Sequence, residues 1–390
     1  MIPSAPSAHH PPPPVSVTGV IVAGPEHAEL LAEFYRATWD RGATAARVLA
    51  SRRRAAAHNP IRAGEMPPVF LFVSGGRAIG HLGALPVRVW DGRDELPAHW
   101  LKGLMVLPEA RNGPVGFLLL REAVSRLPRA MATVVAPEAR RLFEAVGFAD
   151  LGALPDRIRL LEPGRVLRRL DPDALGGRVP TPARVVLDRV RRSPALAWLA
   201  GACIRAALAL MSAVRDSPRH HRGWILPELP AAEAHRLWLR VRRQLAAAPS
   251  RDADHLYPRY VLDGYRLIGV RERGGLVAMG AIRPPRPDGD PRLNGVRVAT
   301  LSEILCPPDR PDAARALLAT AEQVARGLDA DALLCGASHR ALDGALRRRG
   351  YLRVPGSVHV LHRAAPGDAP PPPLAAWWLT RGDSLADEGF

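Results

Sequence analysis

Between Val106 and Leu127 the chain reads V-L-P-E-A-R-N-G-P-V-G-F-L-L-L-R-E-A-V-S-R-L, and this stretch constrains the fold more than any other. The apolar run Leu104, Met105, Val106 and Leu107 predicts a buried strand. A turn from Pro108 to Pro114 follows, and Val115, Leu118, Leu119, Ala123 and Leu127 then recur at helical spacing. A strand that feeds a helix through a glycine-bearing turn leaves the first helical amides unpaired and aimed along the positive end. Such an end suits a phosphate, so the first functional expectation is a phosphate-bearing ligand.

The chain has 390 residues, enough for two domains that each bury a core. Hydrophobic residues at 47% and charged residues at 24% are those of a globular protein. The net charge of +16 would ordinarily point to nucleic acid or an anionic membrane. Lys102 is the one lysine, and the other basic side chains are arginines among abundant alanine, proline and glycine, which reads as compositional bias. No nucleic-acid motif or aromatic-basic repeat accompanies the charge, so nucleic acid is kept only as a remote alternative. Cys203, Cys306 and Cys335 are too scattered for a disulfide framework or a zinc site, and no metal is expected. A reducing, cytoplasmic setting is the default. Met1–Pro14 is proline-rich and lacks the regions of a signal peptide, so a disordered arm is expected there.

Along the chain, a strand is expected over residues 15–23, an amphipathic helix over 26–39, a second helix over 44–57, and a hairpin of 69–73 and 78–90 turned by Gly75-Gly76. The strand 99–107, the helix already described, a strand 130–136 and a helix 138–146 follow. A final strand pair from Gly147 to about Leu161 closes the unit. From Arg266 the pattern repeats: a hairpin at Gly274-Gly275, a long strand 296–306, a helix 311–328, a strand 332–335 and a helix 339–350. Residues 228–246 and 252–260 supply the two earlier helices of this second unit.

Pro108-Glu109-Ala110-Arg111-Asn112-Gly113-Pro114-Val115-Gly116 resembles the acyl-CoA loop of the GNAT superfamily of N-acetyltransferases. That loop reads Gln or Arg, two residues, Gly, one residue, then Gly or Ala. Arg111 and Gly116 match, whereas Pro114 stands where the middle glycine is usual and has no N–H to offer a pyrophosphate. The stretch from Ala139 to Phe148 is similar to the family's second signature, with Phe143 where a tyrosine is usual. The resemblance implies an α/β fold of two tandem acyl-CoA N-acyltransferase-like domains, each a central mixed twisted sheet flanked by helices. The expected divisions are residues 15–165 for the CoA-binding unit, a linker 166–221, residues 222–363 for a degenerate copy, and a Pro-rich linker and docking tail 364–390.

It further implies acetyl-CoA or another acyl-CoA as co-substrate and an amine as acceptor. Val106, Leu107, Arg111, Asn112, Gly113, Val115, Gly116 and Phe143 are the expected CoA contacts. A base is often a carboxylate on the central strand in this family. Here that strand offers His99, with His81 on its neighbour, and Glu303 on the second central strand; these three are the candidate bases. Glu109 reads instead as a helix-start carboxylate. The second loop, Pro307 to Arg315, has no glycine and carries Asp309 and Asp312 where a pyrophosphate would lie. A CoA-binding or scaffold module without transfer activity, serving envelope or polysaccharide biosynthesis, is the alternative function.

Residues 195–214 are apolar apart from Arg205 and flanked by arginines. A transmembrane helix would bury Arg205 at about 2.5–3.5 kcal/mol, and an interfacial helix on anionic lipid would give the protein a peripheral membrane contact. A helix packed across the domain junction is the adopted reading. Trp377-Trp378-Leu379-Thr380-Arg381-Gly382-Asp383-Ser384 resembles a C-terminal element of bacterial two-domain acyltransferase-like proteins, and its paired tryptophans predict docking in a groove.

Overall fold

The computed structural model describes residues 18–133, 135–169, 181–215, 223–273, 275–354 and 358–383. The expected arm Met1–Pro14, the first residues of the strand expected from Val15, Gly274 and the last residues of the tail lie outside them.

The first half opens with β1 (Gly19–Val22), α1 (Ala28–Thr38) and α2 (Ala45–Ala57). Leu31, Ala32 and Phe34 turn one face of α1 into the core, and Thr44 caps α2 by accepting from the Arg47 amide. β2 (Val69–Ser74) and β3 (Arg77–Trp90) form a hairpin whose Gly75 and Gly76 have φ of 57° and 74°, values that a side chain would disfavour. β4 (Glu95–Val106), α3 (Val115–Arg126), β5 (Ala130–Ala132), α4 (Pro137–Ala145), β6 (Ala149–Ala153) and β7 (Asp156–Leu160) follow.

The connection carries α5 (Pro163–Arg169), α6 (Thr181–Arg192) and α7 (Pro194–Arg215). The second half contains β8 (Gly223–Ile225), α8 (Ala231–Arg242), β9 (Ala248–Pro249), α9 (Ala253–Leu256) with a wider turn at Tyr257–Val261, β10 (Arg266–Glu272) and β11 (Gly275–Arg283). It ends with β12 (Val298–Leu305), α10 (Pro311–Gly327), β13 (Ala332–Gly336), α11 (Arg340–Arg348), β14 (Leu352–Val354) and β15 (His359–Arg363).

Two mixed sheets result, ordered β1-β2-β3-β4-β5-β15-β6, with β9 also on β3, and β14-β7-β13-β12-β11-β10-β8. In each sheet an antiparallel meander meets one parallel pair, β4 with β5 and β12 with β13. The expected strand pair from Gly147 to Leu161 is corrected here. β6 stays in the first sheet, but β7 pairs with β13 and β14 in the second, while β15 comes back to pair with β5 and β6 in the first. Pro155 alone separates Leu154, which hydrogen-bonds to Val358, from Asp156 at the start of β7, so the chain crosses between sheets without a loop long enough to fold back.

Separate cores support the sheets. Leu119, Leu120 and Ala123 of α3 pack on Leu82, Ala84 and Leu101, whereas Leu317 and Ala321 of α10 belong to the larger core of the second half. In the tail Trp377 and Trp378 are buried, and Trp378 Nε1 donates to the Ile304 carbonyl at 2.8 Å. α7 packs against α5, where Ala197 and Gly201 approach Gly164, and Leu208 is buried further along the same helix.

Candidate active site

β4 and β5 pair only at His99 with Ala130, Trp100 with Met131 and Leu101 with Ala132. Beyond Leu101 β4 continues to Val106 without that partner, so the parallel pair opens into a cleft facing the start of α3. A bulge marks the same point: the register of β4 against β3 shifts where Lys102 and Met105 face Gly83 and His81, and Gly103 takes a φ of 61°.

His81 secures that bulge. Its Nδ1 lies 2.8 Å from the Gly103 carbonyl, which can only accept, so Nδ1 carries the hydrogen and Nε2 accepts from the Tyr35 hydroxyl at 3.3 Å. Phe34, Tyr35 and Trp39 surround the ring, with Trp39 half exposed at the edge. Burial pushes His81 down to about 4 and the Tyr35 phenol up. Both ring nitrogens of His81, one of the expected bases, are engaged within the protein.

The loop expected to hold the cofactor is only partly as read. Leu118 donates to the Pro114 carbonyl, and among the described residues the preceding Val115, Gly116 and Phe117 amides have no backbone partner, which suits an anion at this end. Gly113 is corrected: its amide donates to the Ala110 carbonyl at 3.1 Å and is not free for a phosphate. Arg111 is exposed and its Nε donates to the Val106 carbonyl, leaving the terminal nitrogens over the cleft mouth. A Cβ on Gly116 would stand 3.3 Å from Leu142 and 3.8 Å from Val106, so the missing side chain lets α3 approach α4 and β4. Asn112 is exposed, and Leu107 is buried at the loop entrance. Phe143 is also buried and meets Phe148 edge-on at 5.1 Å, which corrects it from a cofactor contact to a core residue.

A cavity of about 390 Å³ adjoins the bulge between the two halves. Leu85, Trp100 and Lys102 form its sheet wall, Arg54 comes from α2, and His58 is the residue that caps the end of that helix. The second half contributes Asp254, His255, Arg259 and Asp263, and the tail contributes Gly382. His255 Nε2 has no hydrogen-bond partner, and burial, with Arg251 and Arg259 close by, lowers that imidazole to about 3. His99 is half-buried, is lowered to about 4 by burial, and does not line the cavity.

Glu303, the third expected base, lies away from the cavity lining. It is fully buried, ion-paired with Arg251 at 3.3 Å and hydrogen-bonded by Tyr260 at 3.0 Å, and Arg251 also holds Asp383 at 2.6 Å. Burial pushes the Glu303 carboxyl up against the pull of Arg251. This is a closed network with no face on the cavity. The sequence reading missed His58, Asp254, His255, Arg259 and Asp263, because no local pattern shows that α2 and the turn after α9 face each other.

The second half repeats the open pair but fills it. β12 and β13 pair from Val298 with Ala332 to Leu301 with Cys335. Beyond that point Gly382 donates to the Ser302 carbonyl, Ser338 to the Leu379 carbonyl, and Ala337 bridges Thr380. The chain's own C-terminal segment occupies the second cleft. At its mouth Arg310 is held by Asp312 and Glu272, both at 2.8 Å.

No protein-family model and no curated protein matches the sequence. Among solved structures, the model is similar to Saccharomyces cerevisiae N-myristoyltransferase with bound myristoyl-CoA, with a TM-score of 0.55 and 12% identity over 93% of this chain and 84% of that one. It is also similar to a GCN5-related N-acetyltransferase from Kribbella flavida, with a TM-score of 0.52 and 14% identity over 88% and 70%. The chain has the GNAT fold, in two copies. A probable N-acyltransferase from Enterococcus faecalis V583 aligns over 89% of this chain and 72% of its own, with a TM-score of 0.52 and 10% identity. At such identities the likeness is one of fold, and function has to be argued from the site.

Proposed function

We propose that the chain is an acyl-CoA-dependent N-acyltransferase whose one working site lies in the first GNAT unit. The carrying observation is the contrast between the two clefts: the first opens between β4 and β5 toward free α3 amides, and the second is filled by the tail. In this reading residues 15–165 hold the CoA thioester, and residues 222–363 form a degenerate copy that walls the acceptor cavity. The pyrophosphate lies over the Val115, Gly116 and Phe117 amides with Arg111 beside it, and the thioester runs along β4 to the bulge. The acceptor enters through the cavity, which presents both signs of charge, Asp254 beside Arg88 at 3.6 Å and Asp263 beside Arg259 at 3.4 Å with Lys102 and Arg54 on the facing wall, a combination suited to an amino acid or peptide.

The bound ammonium first loses one proton to solvent, and the neutral amine then attacks the thioester carbonyl. The C–N bond forms as the C–S bond breaks, the amine proton passes to His58, and the departing thiolate takes a proton from water. His58 is preferred because it lines the cavity, whereas His81 and Glu303 are committed to partners.

Thiol release from acetyl-CoA and myristoyl-CoA with a panel of amino acids and short peptides tests this. Release by the wild type and a kcat about a hundred-fold lower in His58→Gln are expected. CoA binding without release from any amine would leave a binding module in place of the enzyme.

A further inference from the structure

The α6–α7 pair carries an apolar surface that the candidate site does not use. The helices meet at a bend of 116° around Ser193. Val185 and Val186 on α6 are 60% and 62% exposed, and Trp198, Leu199 and Leu210 on α7 are 66%, 55% and 66% exposed. Cys203, Ala206, Ala207 and Ala209 are exposed with them, so no charge interrupts the outward side of α7 from Pro194 to Leu210.

The opposite side is fixed to the body. A Cβ on Gly201 would stand 2.5 Å from the Gly164 nitrogen, and Arg205 turns back to Glu162 at 3.2 Å. No single helix among the described residues is long and apolar enough to cross a membrane; only the bent α6–α7 pair together has the length and composition, and the contacts at Gly201 and Arg205 tie one face of α7 to the body.

We propose that α6 and α7 form a peripheral docking surface for an anionic phospholipid bilayer. Charge decides the occupant. Residues 184–210 contain five arginines and one acid, Asp188, and Arg189, Arg191 and Arg192 sit directly before the apolar face of α7. A second copy meeting this surface across a twofold axis would set those arginines against themselves, on a chain of net charge +16. An anionic headgroup layer pairs with them while Trp198 and Leu199 enter the interface.

The test is flotation of the full chain with vesicles of phosphatidylcholine alone or mixed with phosphatidylglycerol, with light scattering to give the oligomeric state. Wild type should float with the mixed vesicles and lose that binding in high salt. W198E/L199E should abolish flotation, and R189Q/R192Q should weaken it about ten-fold or more, with melting temperatures unchanged because these side chains are solvent-facing. Absence of flotation, or flotation unchanged in W198E/L199E, would overturn the proposal. So would a wild-type dimer that W198E/L199E converts to monomer, which would assign the face to a second copy.

Discussion

One imidazole holds the candidate site in shape. His81 ties β3 to the β4 bulge through Gly103 and to α1 through Tyr35, and it is neutral because burial lowers it to about 4. An unfolded histidine titrates near 6.5, so the unfolded chain binds the extra proton first. The stability that neutral His81 contributes is complete above that value and is lost as pH falls from about 6.5 toward 4. His81→Phe should therefore flatten the fall of the urea midpoint over that window relative to wild type, and parallel curves would remove His81 from the account. A second residue prediction concerns Arg251, which lies fully buried between Glu303 and Asp383. Arg251→Ala strands two buried carboxylates and should cost about 3–5 kcal/mol of unfolding free energy in urea titration; a cost near zero would show that water reaches the network. At this scale the sequence is least informative. His81 and Glu303 were legible as unusual residues, but their partners Gly103, Tyr35, Arg251 and Asp383 come from distant stretches. His58 carried no local signal.

Elements were more legible than side chains because hydrophobic period and turn chemistry are local. Glycine pairs and caps set β2–β3 and α2 close to their expected bounds, whereas β5 proved only three residues long because β4 leaves it after Leu101. The seating of α3 depends on a glycine in β3. A Cβ on Gly80 would lie 2.6 Å from Val115 Cγ1 and 2.9 Å from Leu119 Cδ1, so Gly80→Ala should push α3 off the sheet. Overpacking of this kind costs about 1–3 kcal/mol, and the displaced helix start should also weaken CoA binding in calorimetry. Loss of stability with CoA affinity intact would separate α3 from the phosphate site.

On the scale of the molecule, the repeat was visible in the sequence but the strand exchange was not, since β7 reads with β6 as a local pair and β15 is not anticipated at all. Their exchange makes each sheet depend on both halves. A fragment ending at residue 165 lacks β15 between β5 and β6 and should show no cooperative melting, and a sharp transition in that fragment would contradict the interdependence. The central claim, one open CoA cleft in a duplicated fold, is tested most directly by calorimetric titration of the full chain with CoA. A single site per chain is expected, weakened about ten-fold or more by Arg111→Glu and unchanged by Arg310→Gln. No binding, two equivalent sites, or loss on Arg310→Gln alone would contradict it.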